Sequence, residues 1–356
     1  MADAADPDDF LSDLRDAVEQ YDVREVHPNL RVGTASDRFA AWLGQVYPID
    51  VWADQVDVRP KKTARGTFEE RLLPIASAED YFLHFSVLEL DFTYYRPLRS
   101  PDGKDEAGAF TLRQYAEVAP PEPSVYLKCP RDFFGRIRRS GTGANVRYEP
   151  NPTYLDADAY LRQFHEPAVE ILGDALAGVI FEQEYGRVAD TPPVGEVIED
   201  FDRFFAALPR DVQPHLELRS PHLLTPPYFD WLAERELGFV FSHWQYLPPI
   251  RDQWKACGQR FTAADGSVVC RLLSQRGMSF EDAYAKAYPF EQTVPEWEDS
   301  AEVQRMVLDA VALLYRAEAS DAVLNLILNN RATGNAPDLA RRIATRVLDE
   351  EARRAV

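Results

Sequence analysis

Residues 85–91 read FSVLELD, a short apolar segment in which leucines alternate with acidic side chains. Successive side chains of a β-strand point to opposite faces, so this alternation is typical of a strand with one apolar and one polar face. Seven more short apolar segments recur along the chain, separated by longer segments with helical periodicity. The eight are residues 30–36, 85–91, 124–130, 178–184, 214–220, 238–244, 267–273 and 322–330.

Eight alternating strand and helix segments predict a single closed (β/α)8 barrel, the TIM-barrel fold. No glycine-rich dinucleotide fingerprint follows any of the segments, and an open α/β sheet stays the alternative fold. We assign residues 30–356 to the barrel and residues 1–29 to an N-terminal helical extension, with an amphipathic helix over 10–21. Insertions in βα loops or next to helices, rich in proline, glycine and charge, are predicted over 52–78, 99–122 and 132–155.

The 356 residues carry a formal net charge of −20, from 39 Lys and Arg against 59 Asp and Glu. A field of that sign repels polyanions, so we expect no nucleic-acid partner through non-specific attraction. The three cysteines have irregular spacings, the N-terminus is acidic, and no apolar run approaches the roughly 18 residues of a membrane span. We therefore expect a soluble, monomeric, cytoplasmic protein that does not contact membranes.

The alternation within the strands assigns a direction to their charged residues. A charge left unpaired against the apolar helices around a barrel is costly, so we expect charged strand residues to point inward. Leu88 and Leu90 then face the helices, and Glu89 and Asp91 face the barrel mouth. The same argument directs a set of other polar residues inward: Lys128, Glu182, Glu184, His215, Glu217, Arg219, Arg271, Asn325 and Asn329.

This predicted cluster is acidic. It holds the five carboxylates of Glu89, Asp91, Glu182, Glu184 and Glu217 against the three cations of Lys128, Arg219 and Arg271. Such an excess of acid must be relieved by ion pairing, by a raised carboxylate pKa or by a metal ion. Because barrels of this class carry their active sites at the carboxyl ends of the strands, we predict a ligand-binding or catalytic site there. A buried ion-pair network that only stabilises the barrel is the alternative.

Five motifs in this order resemble those of the YecE-like family, which is known only as a domain of unknown function. They are RVGTAS followed by Trp42 and Tyr47-Pro48, VLELDFTYYRPL, YLKCPR, LELRSPHLLT and LNNRATGNAPDLA. The resemblance spans residues 30–345 and implies a (β/α)8 barrel. It places five polar residues at positions that the family's motifs mark: Glu89, Lys128, Glu217, Arg219 and Asn329.

The chain departs from the family's pattern at four places. Asp91 stands where the family has Asn, and Asp37-Arg38 stands where it has Gly-Trp. Residues 271–274 read RLLS instead of Arg-x-His-Gly, and residues 182–185 read EQEY instead of Gln-Leu-Pro-Pro. The chain thus loses a histidine and gains acid, which indicates a divergent member with an altered ligand.

Several chemistries are open to the predicted site. Glu89 and Glu217 are predicted as an acid and a base, the roles that paired carboxylates have in glycosidases. We assign no metal ligands, since the imidazoles near the site are His215, predicted as a core residue, and His243. The cofactor is left open. The predicted ligand-binding residues are Asp91, Lys128, Glu182, Arg219, Arg271, Asn329 and Tyr95.

Two further features lie on the same face. Residues 130–147 read PRDFFGRIRRSGTGANVR, an arginine-rich segment that is either a phosphate-binding lid or a solvated loop. Four aromatic residues follow the strands, where they can stack on a sugar or base or pack at the rim: Tyr94, Tyr95, Trp244 and Tyr246.

These observations favour an enzyme, such as a hydrolase, that acts on a small polar, anionic or sugar-like ligand. Two alternatives are open. One is a nucleic-acid processing barrel analogous to metal-dependent endonucleases, and the other is a ligand-binding protein without catalytic activity.

Overall fold

The computed structural model of the chain describes residues 7–140 and 147–354. Its strands are β1 (Leu30–Ala35), β2 (Asp57–Thr63), β3 (Gly66–Leu72), β4 (Val87–Leu90), β5 (Val125–Lys128), β6 (Ile137–Ser140), β7 (Arg147–Pro150), β8 (Leu176–Gln183), β9 (Pro214–Leu218), β10 (Gly238–His243), β11 (Ser267–Leu272) and β12 (Val323–Leu328). Strands β1, β4, β5 and β8 to β12 pair in parallel and close into a barrel, with β12 beside β1. The predicted (β/α)8 fold is confirmed, and each predicted strand segment overlaps one of these eight strands.

Helices surround the barrel. They are α1 (Pro7–Glu19), α2 (Ile49–Trp52), α3 (Ala78–Tyr81), α4 (Ala107–Val118), α5 (Arg131–Phe134), α6 (Ala157–Tyr160), α7 (Glu166–Leu172), α8 (Val194–Ala206), α9 (Pro226–Glu234), α10 (Ile250–Ala256), α11 (Phe280–Ala287), α12 (Pro295–Glu298), α13 (Ala301–Ala319), α14 (Asn330–Thr333) and α15 (Ala336–Arg354). A π-helical turn joins α6 to α7. Helix α1, predicted over 10–21, packs on α15, with Arg15 Nη2 2.9 Å from Asp349 Oδ1. Among the described helices, none is both long and apolar enough to span a membrane.

The alternation of side chains creates two apolar layers. Leu88, Leu90 and Leu127 belong to the large core between strands and helices. A smaller cluster fills the barrel interior: Ala35, Val87, Tyr126, Ile180, Val240, Val269 and Ile327. Most of these interior residues lie two positions before a polar residue that the sequence directs inward, as Val87 does before Glu89. Cys129, adjacent to Lys128, faces the outer core.

His215 of β9 is a core residue, as predicted. Its Nε2 lies 3.2 Å from Ser267 Oγ, and burial lowers the pKa of its imidazole to about 4, so the ring is neutral at physiological pH. The ring occupies the space above Gly238 of the neighbouring strand. A Cβ atom at Gly238 would lie 2.2 Å from His215 Nδ1, so only glycine fits there.

The three predicted insertions contain regular structure. Residues 52–78 hold an antiparallel hairpin of β2 and β3, and residues 132–155 hold a second one of β6 and β7. Residues 99–122 hold α4 (Ala107–Val118), which packs on the barrel through Leu112 and Tyr115. The Gly-Thr-Gly turn of the arginine-rich segment lies outside the described residues.

Candidate functional site

Arg271, at the end of β11, lies at the centre of a buried group of charges. Its Nε and Nη2 donate to Glu89 Oε2 and Oε1 at 2.7 and 2.6 Å, a bidentate contact across the barrel. Its Nη1 donates to Glu217 Oε2. Glu89 and Glu217 are fully buried, so this guanidinium neutralises carboxylates that water does not reach.

Glu217, on β9, binds two further neighbours. Arg219 Nη2 donates to its Oε2 at 2.9 Å, and the Ser242 hydroxyl donates to its Oε1. All four carboxylate oxygens of Glu89 and Glu217 therefore accept hydrogen bonds from the protein. The two residues that the sequence predicts as acid and base are held within the barrel rather than at its surface.

Glu182, at the end of β8, connects these charges to the barrel mouth. Its Oε2 accepts hydrogen bonds from Lys128 Nζ at 2.5 Å and Arg219 Nη2 at 3.0 Å. Its side chain is 16% exposed. Lys128 lies over the ring of Tyr94 and Arg219 over that of Trp244, which fixes both cations from the rim.

These six residues form what we call the ion network: Glu89, Lys128, Glu182, Glu217, Arg219 and Arg271. Its three carboxylates face three cations. Burial raises the pKa of Glu89, which Arg271 partly offsets. Burial also opposes ionisation of Glu182 and Glu217, but the surrounding cations outweigh it and lower the pKa of both.

The other two predicted carboxylates, Glu184 and Asp91, lie near arginines that the sequence analysis did not assign to the site. Glu184 Oε1 lies 2.8 Å from Arg131 Nε and accepts a hydrogen bond from the Tyr94 hydroxyl at 3.1 Å. Asp91 shares a cavity with Arg331. This end of the barrel therefore holds Arg131 and Arg331 beside the three predicted cations, so the predicted excess of acid is not found. Arg331 lies in α14, beyond the end of β12, so the alternation of strand side chains could not have identified it.

A cavity of about 260 Å³ opens beside the ion network, at the ends of β1, β4 and β12. We call it the mouth cavity. The predicted ligand-binding residues Asp91, Asn329 and Tyr95 line it, as do Arg331 and the hairpin residue Lys61. Tyr95 is 72% exposed at its rim. The hairpin of β2 and β3 covers one side and is fixed by packing of Phe68 on Tyr284 and Tyr288.

Within the mouth cavity, the polar residues differ in how well they are paired. Asp91 Oδ1 accepts a hydrogen bond from the Ser36 hydroxyl at 3.1 Å, and Asn329 Oδ1 accepts one from the Arg331 backbone at 3.0 Å. Lys61 Nζ lies 2.5 Å from Glu70 Oε1. Among the described residues, no carboxylate comes within 4.0 Å of the Arg331 guanidinium. Removal from water lowers its pKa to about 10, so the side chain stays a cation at neutral pH.

The remaining features of the rim have plain structural contacts. Tyr185 packs on Tyr246 with ring centroids 4.5 Å apart, and the ring centroids of Trp244 and Tyr246 are 5.3 Å apart.

A second cavity of about 410 Å³ lies between the β6–β7 hairpin and α8, with Phe134 and Phe201 among its lining residues. His243 Nδ1 lies 2.9 Å from the carbonyl oxygen of Ser274, and its Nε2 lies 3.1 Å from Glu302 Oε1; both oxygens are acceptors. In the part of the chain that the structure describes, no three His, Cys, Asp or Glu side chains are grouped to hold a metal ion.

Comparison with known proteins identifies the family. A family described as "Protein of unknown function DUF72" matches residues 31–355. The chain belongs to the DUF72 family. No curated protein matches it.

Two solved DUF72 structures are similar to this chain. A DUF72 protein from Thermotoga maritima is 15% identical, with a TM-score of 0.51 over 90% of this chain and 99% of its own. One from Enterococcus faecalis is 14% identical, with a TM-score of 0.52 over 90% of this chain and 95% of its own. At these identities the likeness shows the shared barrel fold of DUF72 proteins and nothing about the ligand.

Proposed function

We propose that this DUF72 protein binds a small anionic, hydroxylated or sugar-like ligand in the mouth cavity, as an enzyme or as a binding protein. The observation that carries the proposal is that Arg331, unlike the cations of the ion network, has no paired carboxylate among the described residues. The cations of the ion network contact carboxylates, whereas Arg331 has none within 4.0 Å among the described residues and lines a cavity of about 260 Å³. A guanidinium in that position favours an anion, because a charge-assisted hydrogen bond offsets its loss of water.

The geometry supports different roles for the residues that the sequence predicts as one site. Asp91, Asn329 and Tyr95 line the cavity, and we propose that they contact the ligand directly. Lys128, Glu182 and Arg219 form the partly exposed edge of the ion network. A ligand that extends over the mouth would contact them next.

Glu89 and Glu217 support a positioning role better than the predicted acid–base role. Their oxygens accept hydrogen bonds from Arg271, Arg219 or Ser242, and both side chains are fully buried. We propose that they fix Arg271 and Arg219, and that Asp91 and Glu182 supply any carboxylate chemistry. The five YecE-like motifs further support placing the chain as a divergent YecE-like member within DUF72.

A thermal-shift screen with Arg331→Met tests the proposal. The panel contains sugar phosphates, sugar acids, inorganic phosphate and sulfate at low ionic strength. Arg260→Met is the matched control. Arg260 lies on the loop that leads into β11, at the opposite end of the barrel, and pairs with Asp230 of α9.

We expect at least one anion to raise the Tm of the wild type and of Arg260→Met. Arg331→Met should bind it roughly 10- to 100-fold more weakly, the loss that removing a hydrogen bond to a charged group causes. A panel without any stabilising anion, or equal stabilisation of Arg331→Met, would refute the proposal.

A further inference from the structure

Two buried polar atoms at the mouth cavity have no hydrogen-bond partner among the described residues: Asp37 Oδ2 and Asn330 Nδ2. Asp37 is 1% exposed and Asn330 is 2% exposed. Leaving a buried polar atom unpaired costs free energy, so such atoms call for an explanation. Both residues line the same cavity as Arg331.

The neighbours of Asn330 fix the direction of its side-chain amide. Its Oδ1 accepts hydrogen bonds from Trp42 Nε1 at 3.2 Å and from the Ala336 backbone at 2.8 Å. Since both partners are donors, the oxygen must face them and the Nδ2 group must face the other way. Asn330, which lines the mouth cavity, therefore keeps an N–H donor without a partner among the described residues.

Asp37 offers a proton by a similar argument. The Tyr115 hydroxyl donates to its Oδ1 at 2.7 Å, which leaves Oδ2 as the free atom. Burial raises the pKa of this carboxyl to about 6, against the hydrogen bond from Tyr115 and the charge of Arg38. Below that pH the carboxyl is protonated and can act as a donor.

The other charged and titratable groups near Asp37 come from several elements. The phenols of Tyr47, Tyr81 and Tyr115 surround it, and burial raises the pKa of each, so all three are neutral. The charged groups at the same cavity are Arg38, Lys61, Glu70, Asp91 and Arg331. Lys61 and Glu70 neutralise each other, which leaves Asp91 to oppose Arg38 and Arg331.

We propose that the mouth cavity binds a tetrahedral oxyanion, the phosphate or sulfate group of a hydroxylated molecule. Arg331, Asn330 Nδ2 and the proton of Asp37 are its donors. This inference rests on the proposed function and specifies its ligand. Donors from the ends of β1 and β12 suit a group with oxygens in several directions, and barrels of this class often bind phosphate after their last strands. Asp91 accepts a hydrogen bond from a hydroxyl of the same ligand, since the bare carboxylate would repel the anion.

The test is calorimetric titration with sulfate, whose charge is constant between pH 5 and pH 8, at fixed ionic strength. If only the form with protonated Asp37 binds, the Kd of the wild type rises as pH increases through about 6. Between pH 5 and pH 8 the rise reaches about 100-fold. Asp37→Asn keeps an N–H donor at every pH and should bind with a Kd that does not change with pH. Asp174→Asn, in the exposed turn before β8, should behave as the wild type.

Three outcomes separate this inference from the proposed function. A pH-dependent Kd in the wild type that Asp37→Asn abolishes supports both. Sulfate binding that depends on Arg331 but has the same pH profile in the wild type and in Asp37→Asn overturns the role of Asp37 and leaves the anion site standing. No sulfate binding at any pH, in a wild type that still binds sugar acids in the thermal-shift screen, overturns the tetrahedral oxyanion alone.

Discussion

The ion network and the mouth cavity lie side by side at the same end of the barrel and contain the same kinds of residue. In the ion network three carboxylates contact three cations, and Glu89 and Glu217 are fully buried. In the mouth cavity Arg331 contacts no carboxylate among the described residues, and Asp37 and Asn330 keep unpaired polar atoms. Charge type alone does not distinguish the two regions, but pairing does.

The difference has a physical basis. A buried charge is tolerated when its partner is close and every remaining lone pair or proton is bonded, as around Arg271. Groups that the protein leaves unpaired gain free energy when a ligand pairs them. We therefore propose that the ion network contributes to folding and to the position of the mouth residues, and that the mouth cavity binds a ligand.

The largest expected effect is on folding, from Arg271→Met. The substitution leaves Glu89 without its bidentate partner and Glu217 with one cation fewer. Removing one member of a buried ion pair costs about 3–5 kcal/mol, so urea unfolding at pH 7 should show a loss of that size. Arg276→Met is the control, because Arg276 pairs with Glu302 near the surface and its loss should cost about 1 kcal/mol or less. Equal losses in the two variants would show that the ion network is not structural.

Asp37→Asn should have a smaller effect that depends on pH. Burial raises the pKa of Asp37 from 3.8 to about 6 in the folded protein. Its contribution to stability is therefore fully present below pH 3.8 and is lost as pH rises through 6. The shift corresponds to about 3 kcal/mol.

Urea unfolding at pH 4 and pH 8 checks this sign. Relative to the wild type, the free energy of unfolding of Asp37→Asn should rise by about 2 kcal/mol between pH 4 and pH 8, because part of the contribution is already lost at pH 4. Asp174→Asn should follow the wild type. A difference between Asp37→Asn and the wild type that is constant with pH would mean that Asp37 ionises normally and that the mouth cavity does not favour its neutral form.

The sequence predicts well which strand side chains point into the barrel, because side chains alternate in direction along a strand. The alternation of leucines around Glu89 places its side chain inside the barrel, and the interior cluster that includes Val87 follows the same rule. The separation of the two regions depends instead on distant contacts. Tyr115 reaches Asp37 from α4, 78 positions away in sequence, and Arg271 reaches Glu89 across 182 positions. Alternation along a strand gives the direction of a side chain but not its partner. Asp37 and Arg331 lie beyond the ends of β1 and β12, so the alternation did not assign them to the site.

The smallest expected effect concerns the rim. Tyr95 is 72% exposed, so Tyr95→Ala should leave the free energy of unfolding almost unchanged. Loss of an aromatic contact should weaken binding of a sugar phosphate roughly 2- to 10-fold, as measured by titration calorimetry. Tyr148→Ala, at a 70% exposed position on β7, is the control and should bind as the wild type. Identical affinities for both variants would remove Tyr95 from the site.

The most direct test of the comparison pairs Arg271→Met with Arg331→Met in one experiment. For each variant, urea unfolding gives the free energy of unfolding, and calorimetry at pH 5.5 gives the Kd for sulfate. We predict that Arg271→Met loses about 3–5 kcal/mol of stability. Arg331→Met should keep its stability within about 1 kcal/mol and lose roughly 10-fold or more in affinity. If Arg331→Met were the destabilised variant and still bound sulfate with the wild-type Kd, the assignment of folding to one region and binding to the other would be contradicted.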